Sequence, residues 1–168
     1  NSKIDIDLDL WYHAIIKDMI GYNDLIKKVL SSIKNALIYP HLPYSKCFLF
    51  HGVSGTGKTM LIHSIATTCP IKVDIIQCNL THIYQSYAGS SENYLLNIYQ
   101  QASKSKEKLC FILMDELDIL YNSYNNNNNN RTSMEMDRII IRLAYICELI
   151  NEQNHIFVFK IYFCCMIY

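Results

Sequence analysis

The chain has 168 residues, enough for one domain with a buried core of its own. Its 15 Lys and Arg balance 15 Asp and Glu, so no global field points to nucleic acid or to an anionic membrane surface. Seven cysteines occur without a C-x-x-C pair, which argues against zinc and disulfides and for a reducing, intracellular setting.

Residues 1–20 read as an N-terminal arm or linker. From Ile4 to Leu10 apolar and acidic residues alternate, the pattern of an exposed edge strand or extended arm, and no apolar signal-peptide core is present. A soluble protein of the cytoplasm is the expectation. After Gly21, residues Leu25, Ile26, Val29, Leu30, Ile33, Leu37 and Ile38 recur at helical spacing, with Asn23 as N-cap and Pro40 as stop. A first short strand, Cys47 to Phe50, then runs into Gly52-Val53-Ser54-Gly55-Thr56-Gly57-Lys58-Thr59, which satisfies G-x-x-x-x-G-K-[ST] at every fixed position. Met60 to Ala66 continues as a helix, so strand, loop and helix follow in the order the motif needs. Glycines let successive backbone N–H groups turn inward as an anion nest at a helix N-terminus. Lys58 adds a charge for the outer phosphates and the Thr59 hydroxyl is a magnesium ligand, with Gly52 to Met60 as the nucleotide contacts.

Lys72 to Cys78 predicts a second strand, and Ser90 or Ser91 caps a helix from Glu92 to about Ser105. Its buried side carries Leu95, Leu96, Ile98, Tyr99 and Ala102. The lysines at 104, 106 and 108, broken by Glu107, read as a solvated helix end. Leu109 to Met114 is a continuous apolar run, as expected of a strand covered on both faces. The six asparagines at 125–130 form a solvated Asn-rich insert over 124–133. Helical spacing returns from Met134 to Ile150 through Ile139, Ile140, Leu143, Ile146 and Leu149. Ile156 to Phe159 closes the pattern, and 161–168 is an atypical tail, too short to span a bilayer. Strands alternating with helices imply an α/β fold with a parallel sheet, the three-layer sandwich of a phosphate-loop NTPase.

Hydrolysis of a bound triphosphate needs a metal anchor and a group that orients water. Asp115 and Glu116, at the C-terminal end of a buried strand, supply both, with Mg²⁺ on Asp115 and the attacking water on Glu116. Asp118 reads as a helix N-cap.

These motifs resemble those of the AAA family of ring-forming ATPases, most nearly a valosin-containing-protein-type module, over about Ile20 to Phe159. Ser86-Tyr87-Ala88-Gly89-Ser90-Ser91-Glu92 looks like the family's first pore loop and helix start, Asp115-Glu116-Leu117-Asp118 like its acidic motif, and the Asp137-Arg138-Ile139 helix like its next helix. The likeness implies a core domain over 21–160, ATP and Mg²⁺ as cofactors, and Glu116 and Lys58 as catalytic groups. It also implies Ile20 and Gly21 beside the adenine, and Tyr87, Ala88 and Gly89 gripping a polypeptide substrate in a homo- or hetero-oligomeric ring. Nucleic acid and a membrane span are not expected.

The chain departs from the family pattern at two places. Val53-Ser54 stands where family members carry Pro-Pro, a change a backbone nest tolerates. After Phe159 the sequence runs Lys160-Ile161-Tyr162-Phe163-Cys164, where a polar Thr-Asn should position the water, and the arginine finger, fifth strand and helical lid do not follow. The sheet is therefore expected to be incomplete at its C-terminal edge, and the tail is read as translated intron or a truncated gene model. A nucleotide-binding assembly subunit without turnover is the alternative to an ATP hydrolase that remodels or unfolds proteins. A GTPase lacks support because no N-K-x-D occurs, and a kinase because the only arginines are Arg131, Arg138 and Arg142.

Overall fold

The computed structural model describes residues 6–39, 41–79, 90–115, 130–153 and 156–163. Helix α1 spans Leu8–Ile16 and starts on Asp7, whose carboxylate accepts the backbone N–H groups of Asp9 at 3.0 Å and Leu10 at 3.1 Å. That cap corrects the extended reading of this stretch. An aspartate at this point satisfies two amides that a helix otherwise leaves without partners. Trp11 and Ile15, one turn apart, are buried, and the Trp11 indole Nε1 donates to the Ile65 carbonyl at 3.2 Å. Ile6, Trp11, Ile15 and Met19 thus join the core, so this stretch is not a free arm.

Helix α2 is Asn23–Ile38 and buries Ile26, Val29, Leu30, Ile33 and Ala36. Its N-cap is Tyr22, in the left-handed region at φ 57°, not Asn23. Leu25 and Ile38, which share the helical spacing, lie at its exposed margins. There follow β1 (Cys47–Gly52), α3 (Lys58–Thr67), β2 (Val73–Asn79), α4 (Ser90–Ser103), β3 (Leu109–Asp115), α5 (Asn130–Glu152) and β4 (Ile156–Phe163).

The four strands lie in the order β1-β4-β3-β2 and every pairing is parallel. Strand β3 is buried from Leu109 to Met114 because helices cover both faces of the sheet. Its odd positions, Leu109, Phe111 and Leu113, pack with α1, α2 and α3, while Cys110, Ile112 and Met114 pack with α4 and α5. Side chains alternate across a strand, so one continuous apolar run feeds two cores. Phe111 and Phe157 from neighbouring strands meet edge-to-face at 6.1 Å between centroids.

Two boundaries differ from the sequence reading. Helix α5 begins at Asn130, so residues 130–133 are helical backbone and not insert, and Ile140 faces solvent at 48% exposure while Ile139, Leu143, Ile146 and Ile150 are buried. Strand β4 does not stop at Phe159: it pairs with β1 as far as Gly52 opposite Phe163, which brings 161–163 out of the supposed tail. Residues 124–129 and 164–168 lie outside the described residues.

Polar ties fasten these layers. Lys46, just ahead of β1, is buried, and its Nζ donates to the Asn151 carbonyl in the last turn of α5 at 2.7 Å. Burial lowers the pKa of this ammonium below the ordinary lysine value. Arg142 of α5 donates to Glu92 of α4 at 3.1 Å. Among the described residues, Cys47, Cys69, Cys78, Cys110 and Cys147 form no disulfide. Burial pushes the Cys78 and Cys110 thiols up to about 12, so they behave as small hydrophobes.

Candidate nucleotide site

At the C-terminal end of β1 the chain turns through residues 53–57 into α3. Gly55 at φ 80° and Gly57 at φ 83° adopt backbone angles that side-chain-bearing residues rarely take. A Cβ at Gly57 would also meet the Met19 Cε at 3.3 Å, so the loop lies under the α1–α2 junction. Gly57 offers no side-chain cap to α3, and the helix begins with the Leu61 N–H bonding the Gly57 carbonyl at 2.8 Å. No intrahelical partner exists for first-turn amides, and the helix dipole adds partial positive charge there. Such geometry suits an anion at this end of the sheet.

Lys58 is buried, at 8% exposure, and its Nζ donates to the Gly52 carbonyl at 2.9 Å, the Val53 carbonyl at 2.6 Å and the Thr56 hydroxyl at 3.2 Å. The Thr56 hydroxyl in turn donates to the Val53 carbonyl at 3.0 Å. One ammonium therefore gathers three oxygens of the loop it belongs to. Val53 and Ser54 are exposed at the tip, and Met60 points outward at 51% exposure.

Thr59, the next residue, faces the other way and donates from its hydroxyl to Asp115 Oδ2 at 3.3 Å, across 56 residues of sequence. This is long for a bond between two oxygens. The parallel register explains the meeting: β1 and β3 flank β4, so both release their loops at the same end of the sheet. Magnesium prefers hard oxygen ligands at about 2.0–2.1 Å in an octahedron, whose edge is then roughly 3 Å. A hydroxyl and a carboxylate at this separation fit that requirement, and Thr59 and Asp115 are the residues that would hold the ion. Beside them opens a cavity of about 300 Å³, lined among others by Thr59, His63, Gln77, Asn79 and Asp115.

His63, Gln77 and Asn79 were not singled out from sequence. His63 follows Thr59 by one helical turn and so shares its face, while Gln77 and Asn79 are alternate residues at the end of β2. Tyr22 was also missed. Its hydroxyl donates to the Thr56 carbonyl at 3.0 Å. Ile20 is fully exposed and Gly21 sits beside it at φ 96°, on the junction whose Met19 and Tyr22 approach the loop. Glu116, Asp118, Tyr87, Ala88 and Gly89 lie outside the described residues.

The sequence profile of the ATPase family associated with various cellular activities (AAA) matches residues 48–158, from β1 into β4. Among curated proteins, the peroxisomal ATPase PEX6 of Yarrowia lipolytica is 30% identical over 131 residues, which is 75% of this chain and 12% of that protein. The PEX6 protein of Rattus norvegicus is 28% identical over 145 residues, 84% of this chain and 14% of the relative. Cell division protein C of Sulfolobus acidocaldarius is 26% identical over 158 residues, 87% of this chain and 40% of the relative. The chain thus spans a minor part of each relative's length. With two-thirds of its residues inside the family profile, and that profile covering both the loop at 52–59 and the acid at 115, the chain belongs to the AAA family of ATPases.

Proposed function

We propose that this chain binds ATP and hydrolyses it with Mg²⁺, as an AAA-type module that drives remodelling or unfolding of a polypeptide. One observation carries the reading: Thr59 and Asp115, distant in sequence, come together at 3.3 Å beside the loop that Lys58 organises. The loop amides bind the phosphate oxygens, and Lys58 exchanges its loop carbonyls for the β- and γ-oxygens, where it stabilises charge as the γ-phosphoryl is transferred. Thr59 and Asp115 would hold Mg²⁺, which would add positive charge beside the phosphates. Glu116, one residue beyond Asp115, orients the water and accepts its proton. Ile20 and Gly21 flank the adenine, an apolar face that suits the full exposure of the isoleucine.

The names of the PEX6 relatives, peroxisomal ATPases, favour an organelle-associated protein. Tyr87, Ala88 and Gly89 would grip substrate in a homo- or hetero-oligomeric ring. Among the described residues, no helix is long and apolar enough to cross a membrane. The test separates affinity from turnover. Glu116→Gln is expected to keep ATP affinity while phosphate release falls by about 10²–10⁴-fold. A wild-type chain that binds ATP and releases no phosphate, with Glu116→Gln indistinguishable from it, would instead mark a nucleotide-holding assembly subunit.

A further inference from the structure

We infer that Tyr22 is a positioning residue of the phosphate loop, one that aims the Gly57 amide at the bound anion; this rests on the ATP-binding reading above. The starting point is a backbone anomaly. Tyr22 sits at φ 57° and ψ 20°, the one non-glycine among the described residues with positive φ, and this conformation is disfavoured for any residue with a Cβ. Nothing about its burial explains a tyrosine here, because the residue is 45% exposed. What the conformation achieves is a contact: the hydroxyl reaches the Thr56 carbonyl at 3.0 Å, 34 residues away in sequence.

That carbonyl belongs to the peptide joining Thr56 to Gly57. A trans peptide is planar, so its N–H points opposite to its C=O. Holding the Thr56 oxygen from outside therefore turns the Gly57 N–H toward the other side, the concave side where a phosphate oxygen would sit. Gly57 at φ 83° lacks a side chain to hold its own orientation, and a glycine-rich turn is free to rotate this peptide. Tyr22 removes that freedom. It is itself well anchored, since its carbonyl accepts the Ile26 N–H at 2.9 Å in the first turn of α2, which is bedded in the core. Met19, in contact range of the same glycine, fixes the junction from its other end. An external donor that pre-sets a peptide lowers the ordering cost of binding.

The test uses two substitutions in the full chain, with ATP and GTP affinities and the melting temperature measured for each. Tyr22→Phe keeps the ring and deletes only the donor; ATP and GTP affinities are expected to fall together by about three- to tenfold, the worth of one modest hydrogen bond, with the melting temperature unchanged. Tyr22→Gly relieves the left-handed strain, so its melting temperature is expected to hold or rise while affinity falls at least as far. Falling affinity with rising stability is a result that a merely structural tyrosine does not produce. Wild-type affinity in Tyr22→Phe overturns the inference and leaves the ATP reading standing. A change in the ratio of ATP to GTP affinity overturns it too, since the hydroxyl would then be touching the base. A wild-type chain that takes up no ATP overturns both.

Discussion

Two buried lysines bracket the first strand, and only the second lies in the loop proposed to bind nucleotide. Lys46 lies before β1 at 4% exposure and Lys58 follows the loop beyond it at 8%. Each Nζ donates to backbone carbonyls, so burial and hydrogen bonding alone do not tell them apart. Their surroundings do. Lys46 meets the last turn of α5, where the helix dipole favours a cation and the Asn151 carbonyl lacks a helical partner. Lys58 meets a glycine-containing turn at the start of a helix, where the dipole favours an anion and an ammonium gains most by sharing one. The lesson is that a buried cation marks a ligand site only where the backbone around it wants a negative charge.

The comparison breaks first at Lys58. Lys58→Ala is expected to weaken ATP affinity on the order of a hundredfold by titration calorimetry, while the chain stays folded. Unchanged affinity would place the nucleotide elsewhere. Lys46→Met should do the reverse, lowering unfolding free energy by about 1–2 kcal/mol in denaturant titrations and leaving ATP affinity of the folded chain as it was. A loss of ATP affinity in that variant would erase the contrast between the two ends of β1. The smallest effect is pH-linked. Because Lys46 has a folded pKa below 10.5, the unfolded chain binds more protons between that lowered value and 10.5. Stability contributed by this residue therefore rises with pH across that alkaline window. The buried thiols of Cys78 and Cys110, raised to about 12, make total stability fall over the same range, so the lysine is read as a difference: the wild-type denaturation midpoint should fall less steeply toward pH 10.5 than that of Lys46→Met.

The contrast also shows which parts of the molecule were readable in advance. The strand, loop and helix around Gly52 to Thr59 and the buried strand ending at Asp115 were legible in local spacing, and the parallel order follows from strands alternating with helices. Tyr22 touching Thr56, and Lys46 touching Asn151 across 105 residues, depend on how elements dock, which spacing does not record. Helix α1 was misread for another reason. Aspartates among Ile and Leu alternate like a strand, yet Asp7 accepts two amides and starts a helix. Strand β4 outlasts its expected end because β1 offers it partners as far as Gly52, a pairing that composition of the segment gave no hint of.

One bond described above gives the molecule an optical handle. Trp11 is the sole tryptophan of the chain, and its indole N–H is fastened to the Ile65 carbonyl of α3, the same helix that starts at Lys58. Shielded from water, that ring should emit at the blue end of the indole range. A rigid shift of α3 as its first turn receives phosphate would alter the fluorescence of a single, known residue, so occupancy is readable without a label.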